Sequence, residues 1–386
     1  MSAAQHRVWL AVLVMAMILA GGRPVMAQSA PPLDAGTALR DLIGEGQDLQ
    51  SLLAPVVVNS ITTEIASFPT ASSSAGFSYT FDPQLGVPVL RTKSFGPLFV
   101  ERPETTGRGR FGISLDFQRT HWRALDGFNL KRGDLQSNEA ATGFSQTFVD
   151  LNTAIAVIGA TAGVSDRVDL GATIPIVTAS VSGSSSTFSG HFHSSLAGSS
   201  RGIGDVTLRS KVRVLDAGAF GLAAQVDARL PTGDAAKLLG VGRAEVRILL
   251  IAEERSDRVS HHLNAGYTFG GKGELPSDAR LSSQTSLEPS DEINLSGGID
   301  FAVGSKVTVS GDVIARGLRN AIKLTSPQGY YLSLEHRDVL MLLVGVAGVK
   351  LNVGGPWLLR ANVLFPMTSN GLEPSITPTI GLERAF

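Results

Sequence analysis

From Arg110 to Phe386 apolar and polar residues alternate in short runs, each closed by a tight turn or a long polar stretch. A period of two puts successive side chains on opposite faces of an extended chain. The pattern predicts strands at Arg110–Trp122, Ser145–Ala162, Arg167–Val181, Ile203–Leu215, Phe220–Leu230 and Arg243–Glu253. It continues at Arg258–Phe269, Glu292–Val303, Lys306–Gly317, Val339–Leu351, Pro356–Phe365 and Ser375–Phe386. Each is long enough to cross a bilayer at a tilt, which takes about 9–11 residues.

The connections alternate between short and long. Gly163–Asp166, Asp216–Ala219, Arg255–Asp257, Gly304–Ser305 and Asn352–Gly355 are short. Arg123–Phe144, Ala179–Gly202, Pro231–Gly242, Gly270–Asp291, Leu318–Asp338 and Pro366–Pro374 are long. An even number of strands with alternating connections predicts an all-β fold: a twelve-stranded antiparallel transmembrane β-barrel over residues 109–386. Short turns then face the periplasm and long loops the outside.

The faces separate as a barrel requires. Phe111, Ile113, Leu115, Val206, Leu208, Val246, Ile248, Val309 and Val363 form one face, toward lipid. The opposite face would line the lumen with Asp116, Asp150, Asp169, Arg209, Lys211, Arg213, Asp227, Arg229, Glu245, Arg247, Asp312, Arg316, Arg360 and Glu383. Charges of both signs at this density need water or each other. The lumen is therefore a hydrated channel or a core joined by ion pairs, with a mixed network favoured over a strongly anion-selective pore. Trp122, Tyr267, Phe269, Trp357 and Phe365 are candidates for an interfacial girdle. Arg384 interrupts the last strand where a long base can snorkel to the membrane edge.

Residues 28–108 read differently. Leu49, Leu52, Leu53, Val56, Val57, Ile61 and Ile65 recur at helical spacing, after Asp48 as a possible cap and with Pro55 as a possible kink. Phe77, Tyr79 and Phe81 alternate like a short strand. The helix could plug or gate the lumen, rest at its mouth, or bind a partner. Before it, residues 1–27 read as a secretory signal peptide. Arg7 is followed by the apolar run Val8–Ala20, and Val25-Met26-Ala27 suits cleavage.

Composition narrows the class. Charged residues are 17% of the chain, there are 43 glycines in 386 residues, and cysteine is absent. Low charge and frequent glycine suit strands that face lipid and turn often, and closure must come from strand pairing rather than disulfides. A net charge of −1 gives no footprint for nucleic acid.

Four stretches carry a family likeness: Leu230–Asp234 (LPTGD) followed by Gly240-Val241-Gly242, Gly163–Val177, Gly202–Val214 and Phe95–Leu115. In their order and spacing the chain resembles the putative MetA-pathway of phenol degradation family of bacterial outer-membrane transporter-like barrels, over roughly residues 95–386. The resemblance implies an outer-membrane barrel admitting small hydrophobic or aromatic compounds.

Motifs for other chemistry fail on context. Gly198–Gly202 matches G-x-S-x-G, yet a strand rather than a helix follows it. Gly266–Lys272 matches part of a phosphate loop, with Gly273 where Ser or Thr should hold magnesium. His191 and His193 have no acidic or sulfur partner nearby. No catalytic residue, metal or cofactor is expected. His261, phased toward lipid beside an inward His262, keeps an outer-membrane lipid hydrolase as a minor alternative. A non-transporting structural or anchoring barrel is another. The expectation is a channel or transporter in the outer membrane of a Gram-negative bacterium. Its partners would be outer-membrane lipid, a small-molecule solute and, during biogenesis, the barrel-assembly machinery.

Overall fold

The computed structural model describes residues 33–44, 50–69, 76, 79–82, 87–90, 94–139, 143–187, 193–270, 291–326 and 332–386. The expected signal peptide, Asp48, Leu49 and most of the loop Gly270–Asp291 lie outside the described residues.

Two helices come first, α1 (Ala35–Gly44) and α2 (Gln50–Ser67). The barrel begins with β1 (Phe111–Leu125), β2 (Gly143–Gly163) and β3 (Val168–Thr187). Strand β4 has two segments, His193–Ile203 and Thr207–Ala217. Next come β5 (Phe220–Arg229), β6 (Glu245–Arg255), β7 (Val259–Gly270) and β8 (Glu292–Ala302). The last four are β9 (Val307–Thr325), β10 (Ser333–Gly354), β11 (Trp357–Pro366) and β12, split into Leu372–Pro374 and Thr377–Ala385. Each strand pairs antiparallel with the next, and β1 closes the ring. Leu115 pairs with Ile158 of β2 on one side and with Leu382 of β12 on the other. No sheet edge is left at the seam.

The ten-residue strands β5 and β11 set the minimum height. At about 3.4 Å per residue and a tilt of roughly 45°, they span about 24 Å, the height of an apolar barrel band. Leu250 is 65% exposed, Val214 63% and Leu263 55%, and similar exposed residues ring the outer face. A continuous apolar surface of this extent is stable only against lipid. No helix among the described residues is long and apolar enough to cross a membrane; the strands do so.

All twelve expected strands are present, and several run further at the long-loop end. The expected loop Ala179–Gly202 is mostly a hairpin, with Ile176–Ser186 of β3 paired to Ile203–His193 of β4. Likewise β9 reaches Thr325 and β10 starts at Ser333. The first of these extensions is rich in Ser and Gly, and the second carries charges such as Arg319, Lys323, Glu335 and Arg337. Outside lipid a strand needs no apolar face, so alternation falls silent there while pairing continues. The break in β4 at Gly204–Val206 falls beside Pro175, which has no N–H to give; its carbonyl accepts from Gly204 N at 2.8 Å.

The girdle needs one correction. Trp122 is fully buried and faces inward, its Nε1 donating to Thr153 at 3.1 Å. It shares parity with Asp116, not with the exposed Phe111 and Ile113. At the seam, Phe111 and Phe386 stack with centroids 4.4 Å apart. Arg384 lays its guanidinium over Trp357 and Phe386, at 5.1 and 4.3 Å. The purified protein should therefore give a β-rich circular dichroism spectrum and a compact gel band that shifts on heating. Phe386→Ala should lower the temperature of that shift, consistent with a loss of roughly 1 kcal/mol for one aromatic pair.

Candidate functional site

The barrel interior is filled in two layers by the chain that precedes β1. The layer toward the long loops is apolar. In α1, Ala35, Ala38, Leu39, Leu42 and Ile43 follow helical spacing and are all buried. Asp34 caps the helix by accepting from Thr37 N at 2.8 Å, and Ser200 Oγ accepts from Ala35 N at 2.9 Å. Val57, Val58, Ile61, Ile65 and Phe68 continue the cluster from α2 and its end. They pack on inward residues from around the ring, including Leu151, Val181, Leu324, Val346 and Leu364. Phe68 meets the edge of Trp122 at 5.1 Å.

Of the expected plug residues, Ile61 and Ile65 belong to this cluster. Leu52, Leu53 and Val56 lie on α2, which continues through Pro55 as one helix. Helix α1 was not expected, although Asp34 and the apolar spacing that follows were present in the sequence. Tyr79–Asp82 pairs with Val87–Leu90 in a small hairpin, which accounts for the expected short strand.

The layer toward the short turns is polar and built around a strap, residues 94–106. The strap has no helix or strand of its own, so its backbone groups need partners elsewhere. Inward side chains of the barrel supply them. Asp312 Oδ2 accepts from the amides of Leu98, Phe99 and Val100 at 3.1, 2.7 and 3.3 Å. Lys350 Nζ donates to the Phe95 carbonyl at 3.1 Å, and Lys211 Nζ to the Arg102 carbonyl at 3.2 Å. Thr308 Oγ1 accepts from Phe95 N at 3.0 Å, and Asp169 Oδ2 accepts from Thr106 N at 2.8 Å. The strap's own charges add ion pairs: Glu101 with Arg209 at 2.7 Å, and Glu104 with Arg255.

The other inward charges pair across strands. Arg209 holds Asp227 at 2.6 Å, and Arg247 binds the same carboxylate. Arg229 holds Glu245 at 2.9 Å, with Arg243 on the second oxygen at 3.1 Å. Arg316 joins Glu292 at 2.6 Å to Glu64 of α2 at 3.2 Å. Arg360 sits between Asp116 at 2.7 Å and Glu383 at 3.6 Å, and Glu383 also accepts from Gly76 N at 2.6 Å. Arg213 lies near the short-turn rim against Asp216 and the Asp166 carbonyl.

Asp150 is the exception among the fourteen expected lumen residues. It is flanked by Val149 and Leu151, both buried in the interior cluster, so its own side chain points outward. There it meets Lys131 at 3.0 Å and His121 at 3.5 Å. The strand's parity, counted from its apolar inward residues, corrects the assignment.

Sequence reasoning missed Glu101, Arg102 and Glu104, because an irregular segment has no period to read. It also passed over Glu253, Glu292, Asp300 and Lys350, whose strand parity did mark them as inward, as it did the expected His262. His262 is buried against Asp300, which also receives the Ser94 hydroxyl. His261 points out, with Glu254 and Ile299 as its paired neighbours. A serine does not stand opposite it in either ladder.

Between the two layers lies a cavity of about 160 Å³. Phe68, Phe99, Leu249 and Ile314 give it apolar wall, while Arg229, Arg247, Asn264 and Asn294 give it polar wall.

The four stretches that carry the family likeness meet in space. Phe95–Leu115 supplies the strap, and Gly163–Val177 and Gly202–Val214 supply Asp169, Arg209 and Lys211. Asp205 in the β4 break accepts from Gly233 N at 2.9 Å and Val241 N at 2.7 Å. Thr232 Oγ1 donates to the Gly204 carbonyl at 2.6 Å. LPTGD is thus a loop staple. A side chain at Gly240 would collide with Asp205. The loop reaches α1 through the Ala236 carbonyl, which accepts from Arg40 Nη1 at 3.0 Å.

Asp312→Ala should free the strap while leaving the ladder intact. Three charge-assisted bonds are lost with it, and a cost of roughly 2–4 kcal/mol is expected for the strap's docked state. Limited proteolysis of the folded barrel with a glutamate-specific protease should then cut after Glu101 or Glu104, both of which the unaltered protein buries.

No family model matches the chain, and no curated protein matches it. Solved structures do. The COG4313 outer membrane channel from Pseudomonas putida F1 is similar at 15% identity and a TM-score of 0.51, over 74% of this chain and 98% of that one. KdgM porin aligns at 8% identity and a TM-score of 0.37, over 71% and 99%. A TodX deltaS2S3 mutant monoaromatic hydrocarbon channel aligns at 12% and 0.38, over 74% and 92%. At such identities the likeness is one of fold, carried by the first: this chain has the fold of an outer-membrane channel barrel.

Proposed function

We propose that the protein is an outer-membrane channel for small molecules, with the segment before β1 as its plug and gate. One observation carries the reading. A separate stretch of chain occupies the lumen and is held there by apolar packing, hydrogen bonds and ion pairs to inward side chains, not by the barrel's backbone ladder. A filling held this way can leave without breaking the barrel ladder. Once it leaves, Asp116, Asp169, Arg209, Lys211, Asp227, Arg247, Asp312, Arg316 and Arg360 would face water and line the path.

In this reading residues 1–27 direct export and are removed, the short turns face the periplasm, and the assembly machinery inserts the barrel. The resemblance to the MetA-pathway family extends the solute class to small hydrophobic or aromatic compounds. The channel named in the structural comparison supports the general class.

The filled lumen also suits a barrel that only anchors or supports. Planar-bilayer conductance separates the two. The intact protein should conduct weakly and intermittently. Deletion of residues 28–76, with the strap left in place, should raise mean conductance several-fold. A barrel that stays silent after the deletion would refute the channel and favour the anchor.

A further inference from the structure

The cavity between the two layers has an unequal hydrogen-bond balance. Its acids are used up. Glu101 is held by Arg209, Asp227 has both oxygens on Arg209 and Arg247, Glu245 has one oxygen on Arg229 and one on Arg243, and Glu292 has both on Arg316. Their side chains are only 5–8% exposed. Two of the arginines are not used up. Arg247 spends Nε and Nη2 on Asp227, and Arg229 spends Nη1 on Ser67 and Glu245. Arg247 Nη1, and Arg229 Nε and Nη2, make no hydrogen bond among the described residues, and the two side chains keep 36% and 27% of their surface exposed. Formal charge in the wall is close to balanced, yet the donors left over belong to guanidinium groups.

We infer that this cavity is a binding site for a small monocarboxylate with a flat apolar body, its carboxylate on Arg229 and Arg247 and its body against Phe68, Phe99 and Ile314. A guanidinium offers a planar fork matched to a carboxylate, and such bonds are about twice as strong as neutral ones. A volume of about 160 Å³ is adequate for one ring, since an apolar cavity of about 150 Å³ holds benzene. The inference rests on the channel reading for its purpose, and it sharpens the solute class from aromatic to aromatic and anionic.

Calorimetry on the full-length protein in detergent tests it, with benzoate, benzyl alcohol and benzylamine as probes of similar shape and different charge. Benzoate should bind at least tenfold more tightly than either of the others. Arg247→Gln and Arg229→Gln should each weaken benzoate at least tenfold and leave benzyl alcohol unchanged. Asp227 keeps Arg209 in the first variant, and Glu245 keeps Arg243 in the second, so both should retain the heat-shifted gel band. Equal binding of benzoate and benzyl alcohol, or benzoate binding that survives both substitutions, would overturn the inference. Benzoate uptake into proteoliposomes separates it from the channel reading. A barrel that binds benzoate selectively but passes no solute refutes the channel alone; one that conducts without charge selection in binding refutes the site alone.

Discussion

Everything inside this barrel follows from one constraint on backbone hydrogen bonding. The strands spend their N–H and C=O groups on one another, as lipid requires. A stretch of chain that enters the lumen without regular structure therefore finds no backbone partner. Its amides and carbonyls must be met by side chains reaching inward, and each must carry a strong acceptor or donor. Asp312, Asp169, Thr308, Lys211 and Lys350 do this for the strap. The charged inner face, which looks from sequence like the wall of a water-filled pore, is to a large extent a set of grips for another part of the same chain.

Ion pairs in the interior are costly to desolvate, and that cost offsets most of their attraction. Their value here is positional. Arg209 bridges a barrel carboxylate and a strap carboxylate, and Arg316 does the same for Glu292 and Glu64 of α2. Each arginine ties the filling to one strand register, so the filling has one seat rather than many. The apolar layer above supplies burial without direction. Together they account for a segment that is both firmly and specifically placed.

The fold was legible because lipid and lumen impose opposite demands on neighbouring residues. Wherever both demands acted, alternation marked the strand. It faded at Ser180–Ser186 and Ser194–Ser200, where the hairpin stands clear of lipid and polar residues serve on both faces. It misled at Asp150 and Trp122, where parity was not anchored to residues of known side. Placement of the N-terminal helices was not legible, because a helical apolar stripe states that it is buried and not what buries it. The strap was invisible for a deeper reason. Its structure is dictated by distant side chains, and no local pattern records that.

The strap joins β1 through Gly109, whose amide donates to the Gly163 carbonyl at 2.9 Å at the short-turn rim. Helix α1, much earlier in the chain, lies at the other mouth against Ala236 and Gly198. The filling thus runs the length of the lumen, covalently joined to the wall at the short-turn rim and hydrogen-bonded to it at the other mouth. Movement of the filling toward either mouth would have to break the strap's grips, while the join at Gly109 would still hold its end at the short-turn rim. If the filling leaves as proposed above, this tether keeps it beside the short-turn mouth, next to the seat it came from.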